Sequence, residues 1–259
     1  MKNKKSTVLG TVLFYAGVLI IWQIIYSLGT QVFEIWKSYS FPNIKSILIR
    51  FGELVSDGSI QLAIAYSVGR GIIGYLIACV LGCFLGMVIL EYKTLGKYLK
   101  PLLMGIQTLP SICWVPFAIL WFGLGNDAII FVVVMGSALS IALSVESSIR
   151  NIDPLYLSVA GIMGAKGLKL VTKVIIPAAL PSLISGFRQG WSFAWRALMS
   201  GEVISSSIGL GYTLMLGRNL ADINQVMLVM IVIIIIGIIM DKVCFSLVEN
   251  KVLAKRGLK

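Results

Sequence analysis

The chain has 259 residues, 58% of them hydrophobic and 13% charged, with a formal net charge of +11. A soluble domain carries about 25% charged residues, so this composition excludes an ordinary globular fold and points to a bilayer. A basic excess in a soluble chain would suggest nucleic acid; here the cations cluster at the termini and in short connectors between apolar runs, which is a topology signal.

Met1-Lys2-Asn3-Lys4-Lys5 precedes an apolar run from Val8 to Leu28 that is long enough to cross a bilayer. No clear small-x-small cleavage site ends it, so it is read as a retained first span and not as a signal peptide. Over residues 42–57, Ile44, Ile47, Leu48, Phe51, Leu54 and Val55 recur at helical spacing with polar residues between. That pattern predicts a short amphipathic helix lying along the membrane surface. Further spans are expected at 62–90, 101–122, 128–146, 182–204 and 225–248. The second is too long for a perpendicular crossing and must tilt or extend past the bilayer. The third contains Pro110 and Pro116, each of which removes a backbone bond and kinks a helix. The fold class is therefore an all-α integral membrane protein of about six transmembrane helices, with residues 1–259 as a single domain.

With six spans, both termini share a side. Fifteen lysines and arginines fall on that side, in the termini, at Lys93, Lys97 and Lys100, and over Arg150 to Lys173. Four fall on the other: Lys37, Lys45, Arg50 and Arg218. This bias makes both termini, and the 147–181 loop, cytoplasmic.

The chemistry available is narrow. The chain has no histidine, which removes the commonest general base and metal ligand. Cys79 and Cys83 share a helix face, which would suit a metal pair, but small buried packing residues are the simpler reading. No metal site is assigned. No Gly-x-x-x-x-Gly-Lys-Ser/Thr motif occurs, so no nucleotide chemistry is assigned to this chain. Glu146 and Arg150, four residues apart, form a local helix pair. Gly82 and Gly86 allow close helix approach, read as packing inside the subunit.

The fifth span holds Arg188, Arg196 and Glu202. Ionisable groups in a span mark a pathway or a partner, because each is costly in hydrocarbon. Arg188, Trp191, Ser192, Trp195, Met199 and Glu202 fall on one stripe. One reading makes this stripe the lining of a translocation pathway for a small anion with an apolar tail. The other makes Arg188 interfacial and the tryptophans helix packing. Arg196 sits off the stripe. Arg70 either snorkels outward or pairs with Glu202.

The cytoplasmic loop carries Ser158-Val159-Ala160-Gly161-Ile162-Met163-Gly164-Ala165, eleven further residues and then Pro177. This pattern resembles the Glu-Ala-Ala loop of bacterial ABC importer permeases. Ser158 stands where the family's glutamate usually stands, and Val159 replaces the first alanine. Ser67-Val68-Gly69-Arg70, Gln107-Thr108-Leu109-Pro110, Trp114-Val115-Pro116, Trp121 to Gly125 and Ser207 to Tyr212 resemble the branch importing taurine, aliphatic sulfonates and nitrate, which also serves thiamine-precursor and other small-molecule systems. The resemblance covers residues 40–248. It implies a type I importer permease fold, with Ser158, Ala160, Gly161, Gly164, Ala165 and Pro177 coupling to an ATPase. It also implies a second copy of the chain, two cytoplasmic ATPase subunits holding ATP and Mg, an extracytoplasmic solute-binding protein and a bacterial or archaeal inner membrane. On this reading the chain makes no covalent bond. A secondary transporter would need coupling-ion residues in paired repeats, and a membrane enzyme an acid–base or metal cluster; neither pattern is present.

Overall fold

The computed structural model describes residues 2–33, 35–37 and 41–255. Among them, the chain is helical throughout its regular structure, with no strand. Among the described residues five helices are long and apolar enough to cross a membrane, or six if one bent helix pair is counted as a single span. The chain divides into two compact units, Met1–Gln61 with Thr213–Val232 and Leu62–Tyr212 with Ile233–Lys259.

The first unit begins with α1 (Lys2–Ser27). The Trp22 indole donates to the Pro42 carbonyl at 3.0 Å, and Trp36 stacks on Phe41 with centroids 5.2 Å apart. The expected amphipathic helix is α2 (Ile44–Ser56), opened by the Asn43 side chain accepting from the Lys45 amide. Ile47 and Leu54 are buried, while Leu48, Phe51 and Val55 stay exposed. Arg50 ties α2 down: its guanidinium reaches Glu53 at 2.7 Å, Asp222 at 2.9 Å and the Gln225 carbonyl oxygen at 2.7 Å. The Glu53 hydrogen bond, with the Asp222 charge behind it, raises the Arg50 pKa above its ordinary value. Asp222 also caps the chain segment that follows, accepting from the Gln225 amide.

The second unit holds most of α3 (Ser59–Glu91), α4 (Lys93–Gln107), α5 (Val115–Phe122) and α6 (Asn126–Arg150). It continues with α7 (Pro154–Ile162), α8 (Gly167–Leu170) and α9 (Ile176–Ile204). It also takes the start of α10 (Leu210–Asn219), the end of α11 (Ile223–Met240) and α12 (Leu247–Lys255). At about 1.5 Å per residue, α3 is roughly 50 Å long, well beyond a hydrocarbon core of about 30 Å. Helices α4 and α5 are bent by 99° at the break over Thr108–Pro110. Pro110 removes an amide donor there, whereas Pro116 sits in the first turn of α5, where no donor is needed.

Helix α6 is the hub. It packs on α9 along one side and α3 along the other. Close approach is set by glycines: a Cβ on Gly82 would lie 2.7 Å from the Ile141 Cβ, and one on Gly86 2.8 Å from the Val145 Cβ. The Gly82–Gly86 spacing thus serves packing within the subunit, as expected. Gly186 and Gly190 play the same part on α9, facing Ser144 and Ile141 of α6. Outward faces of α3 and α11 present Leu76, Val80, Phe84, Ile234 and Ile238, apolar groups suited to lipid.

Candidate functional site

Helix α9 separates two environments. Trp191 and Trp195 are 3% and 8% exposed and stack with ring centroids 6.1 Å apart. Tyr75 of α3 meets Trp191 edge-on at 5.2 Å, and Phe245 completes the cluster. Gly237 of α11 leaves room for the Trp195 ring, whose indole nitrogen would lie 3.3 Å from any Cβ there. Neither indole N–H meets an acceptor among the described residues, so the rings contribute as apolar bodies.

Glu202, fully buried, lies on the same side. Its carboxylate accepts from the Ser67 hydroxyl at 2.7 and 2.8 Å, from Arg70 at 2.9 Å and from the Gly211 amide at 3.0 Å. The Ser67 oxygen in turn accepts from the Leu210 amide at 2.8 Å, and Arg70 Nε donates to Asn126. Glu202 therefore neutralises Arg70 and caps the first turn of α10 together with Ser67. Of the two readings of Arg70, pairing is the one realised.

Arg188 grips Asp241 through two nitrogens, at 2.6 and 2.5 Å, and Glu249 at 3.0 Å. Of the predicted stripe, Trp191, Trp195 and Glu202 form a buried seam and Met199 is half-buried beside it. Arg188 sits in an ion network, and Ser192 is exposed.

The face of α9 that carries Ser192 is the one the stripe reasoning passed over. Ser182, Ser185, Gln189, Ser192 and Arg196 are all exposed, at alternating spacings of three and four. Three cavities lie along it. One of about 480 Å³ is lined by Ser144, Ser147 and Asn151 together with Ser182, Ser185 and Gln189. Another, of about 270 Å³, shares Ser144, Ser147 and Gln189 and adds Lys100, Gln107 and Ser140. The third, of about 320 Å³, shares Gln107 and reaches Thr108, Ser111, Trp114, Phe193 and Arg196. The shared residues join them into one trough lined mainly by hydroxyls and amides, with Glu249 on the first cavity and the Glu146–Lys100 pair on the second. Glu146, fully buried, is held by Lys100 at 2.8 Å and Arg150 at 3.1 Å. The signal for this trough was in the sequence as a polar period of three to four, overshadowed by charges and indoles on the opposite face.

At the Arg150 end of α6, Asp153 opens α7 by accepting from the Leu155 amide at 2.9 Å, with Pro154 in the first turn. The helix closes on Gly164, at φ +74°. Ala165 donates to the Ala160 carbonyl at 2.9 Å and Gly164 to that of Gly161 at 3.0 Å, a Schellman ending. Gly164 is thus required by backbone conformation, apart from the coupling role that the resemblance implies. Ala160 is buried, Ser158 and Gly161 are exposed, Ala165 and Pro177 are half-buried, and the Ser158 hydroxyl donates to the Pro154 carbonyl. Ile162, Met163 and Leu168 are 87%, 81% and 79% exposed. Exposed apolar groups of this kind are suited to contact with a partner or with lipid. Among the described residues no group of three His, Cys, Asp or Glu is placed to hold a metal ion. Within the first cavity the Ser185 hydroxyl donates to Glu249 at 3.3 Å.

Comparison with known proteins agrees with this geometry. A family model described as "Binding-protein-dependent transport system inner membrane component" matches residues 74–251. A putative ABC transporter permease protein of Methanocaldococcus jannaschii is 32% identical, over 74% of this chain and 72% of its own length. A putative aliphatic sulfonates transport permease protein of Bacillus subtilis is 30% identical, over 93% and 86%. Among solved structures, a chain of the MetNI methionine ABC transporter in an inward-facing form superposes with a TM-score of 0.58 at 20% identity, covering 75% of this chain and 94% of that one.

Proposed function

The chain belongs to the inner membrane components of binding-protein-dependent transport systems, and on that premise we propose how it handles its solute and its partners. It is the translocation subunit of an ABC importer and not an enzyme. Two copies face each other across the polar side of α9, two ATPase subunits holding ATP and Mg dock on the α7–α8 loops, and an extracytoplasmic binding protein delivers the solute. Both termini lie in the cytoplasm of a bacterial or archaeal cell, by the charge bias of the loops. The solute is a small anion, an aliphatic sulfonate in the first instance, as in the name of the Bacillus subtilis relative.

The exposed polar face of α9 carries this reading. An arginine, a glutamine and three serines on the outside of a membrane span are costly against lipid. A second copy, enclosing water between the two troughs, removes that cost. Exposed Ile162, Met163 and Leu168 support the docking of a soluble partner in the same way.

The test is reconstitution of the permease with its ATPase and binding protein in vesicles. ATP-dependent uptake of ethanesulfonate is expected. An importer that hydrolyses ATP and takes up a neutral solute while ignoring ethanesulfonate and nitrate would overturn the anion assignment. Ile162→Glu is expected to abolish co-purification of the ATPase, and full co-purification would remove the docking assignment.

A further inference from the structure

We propose that the cavity at the α4–α5 break is a station for a monoanionic oxyanion bearing a small apolar group, with Arg196 as its charge. This rests on the importer reading and names the place in the chain that recognises the solute.

Four other arginines are held by carboxylates, Arg50 by Glu53 and Asp222, while Arg218, at the end of α10, meets the Met215 sulfur at 4.0 Å. Arg70 is bound to Glu202, Arg150 to Glu146, and Arg188 to Asp241 and Glu249. Among the described residues Arg196 has no carboxylate partner. Its Nε donates to the Ser192 carbonyl of its own helix at 3.1 Å, and the guanidinium lies 4.6 Å from the Phe193 ring centroid. Its two terminal nitrogens meet no acceptor among the described residues. A guanidinium within a membrane span whose fork is left open is a ready partner for an oxyanion.

The surroundings suit the same ligand. No carboxylate lines the cavity, so its net charge is that of Arg196 alone. Gln107, Thr108 and Ser111 supply neutral donors, and Trp114 and Phe193 supply aromatic walls. One cation with neutral donors favours a single negative charge over two. The aromatic walls favour a ligand with an apolar part over a bare inorganic ion. The volume of about 320 Å³ lies at the small end of the range of small-molecule sites. The cavity exists because the span is broken there: the 99° bend opens the space, and irregular backbone at membrane depth belongs beside protein or water. Gly136 lets α6 approach α9 at this level, since a Cβ there would lie 2.6 Å from that of Ala197.

The test measures local charge without relying on transport. Thr108, exposed at the rim, is replaced by cysteine in the full complex with Cys79, Cys83, Cys113 and Cys244 changed to alanine. Modification rates are compared for sulfonatoethyl methanethiosulfonate, itself an alkylsulfonate, and its trimethylammonioethyl counterpart, each normalised to the neutral methyl reagent. Arg196→Gln is expected to lower the anion-to-cation rate ratio about tenfold, from one unit charge acting oppositely on the two reagents at close range. Arg196→Lys is expected to restore most of it. Excess ethanesulfonate is expected to slow the anionic reagent in the Arg196 protein, a measurement that stands even where Arg196→Gln fails to assemble. An unchanged ratio in the Gln variant, or absence of protection in the Arg196 protein, overturns the station while leaving the importer reading intact. Failure of the wild-type complex to import ethanesulfonate or nitrate, with the ratio change present, overturns the importer's solute assignment instead.

Discussion

On one side of α9, Glu202 is fully buried and accepts hydrogen bonds from Ser67, Arg70 and Gly211, with Trp195 and Trp191 stacked about two and three turns before it. On the other, Arg196 is exposed with an open fork, amid serines and a glutamine. Both sides carry charge through the same membrane span, but one pairs its carboxylate inside the subunit and the other leaves a guanidinium open outward. The buried side holds the subunit together. The open side is available to a solute and to a second copy. A helix drawn as a single stripe hides this division.

The difference is sharpest where a buried charge loses its partner. Arg70→Met leaves Glu202 uncompensated, and a loss of about 3–5 kcal/mol is expected, read as failure to give a monodisperse peak in detergent. Adding Glu202→Leu to Arg70→Met is expected to recover part of it. A stable Arg70→Met single variant would show that the pair is dispensable and the comparison overdrawn. Next comes Trp195→Ala, which removes a ring from the Tyr75–Trp191–Phe245 cluster; about 3 kcal/mol of destabilisation is expected by thermal unfolding. A fully stable Trp195→Ala that fails in uptake would move that residue to the solute side.

A smaller effect is expected at Gly164, whose φ of +74° disfavours a side chain although nothing lies within 4 Å of an added Cβ. Gly164→Ala should cost about 1 kcal/mol locally. Protease sensitivity confined to residues 154–175 would report it, and ATPase co-purification should weaken without vanishing. The smallest change in stability is expected at Ser192→Ala, within about 0.5 kcal/mol of zero, with any loss appearing in uptake. A destabilisation of Ser192→Ala as large as that of Trp195→Ala would erase the distinction between the two faces.

Hydropathy and length were enough to find the spans, because a bilayer imposes its thickness on the sequence. Periodicity was enough to find α2, and a four-residue glycine spacing to place close helix contact on α3. The partners of the charges are only partly legible: spacing gives Glu146–Arg150 and leaves Glu202 as one of two fates for Arg70, but nothing points Arg188 to Asp241 and Glu249. Arg188 and Asp241 are 53 positions apart, and Arg70 and Glu202 are 132 apart. A helical wheel gives a side chain's bearing on its own helix and says nothing of what stands opposite. For that reason the stripe from Arg188 to Glu202 stays open in the sequence between lining and packing, Arg196 is seen only as lying off it, and Ser185 and Gln189 do not stand out. Gly164 stands out in the sequence through the resemblance of its loop, but a backbone angle requires it, and no periodicity encodes that angle.

The stretch Asp241–Ser246 between α11 and α12 is wound as a π-helix. A π turn amounts to one residue inserted into an α-helix, and each inserted residue turns all that follows by about 100°. Asp241 lies at its start and Glu249 beyond its end, yet both converge on Arg188. The bulge thus works as a phase shifter. Deleting a single residue from 242–246 would rewind the segment to the tighter register, leave Asp241 in place and swing Glu249 away to another quadrant of the helix. In this chain the count of residues, as much as their kind, decides which carboxylates Arg188 can hold.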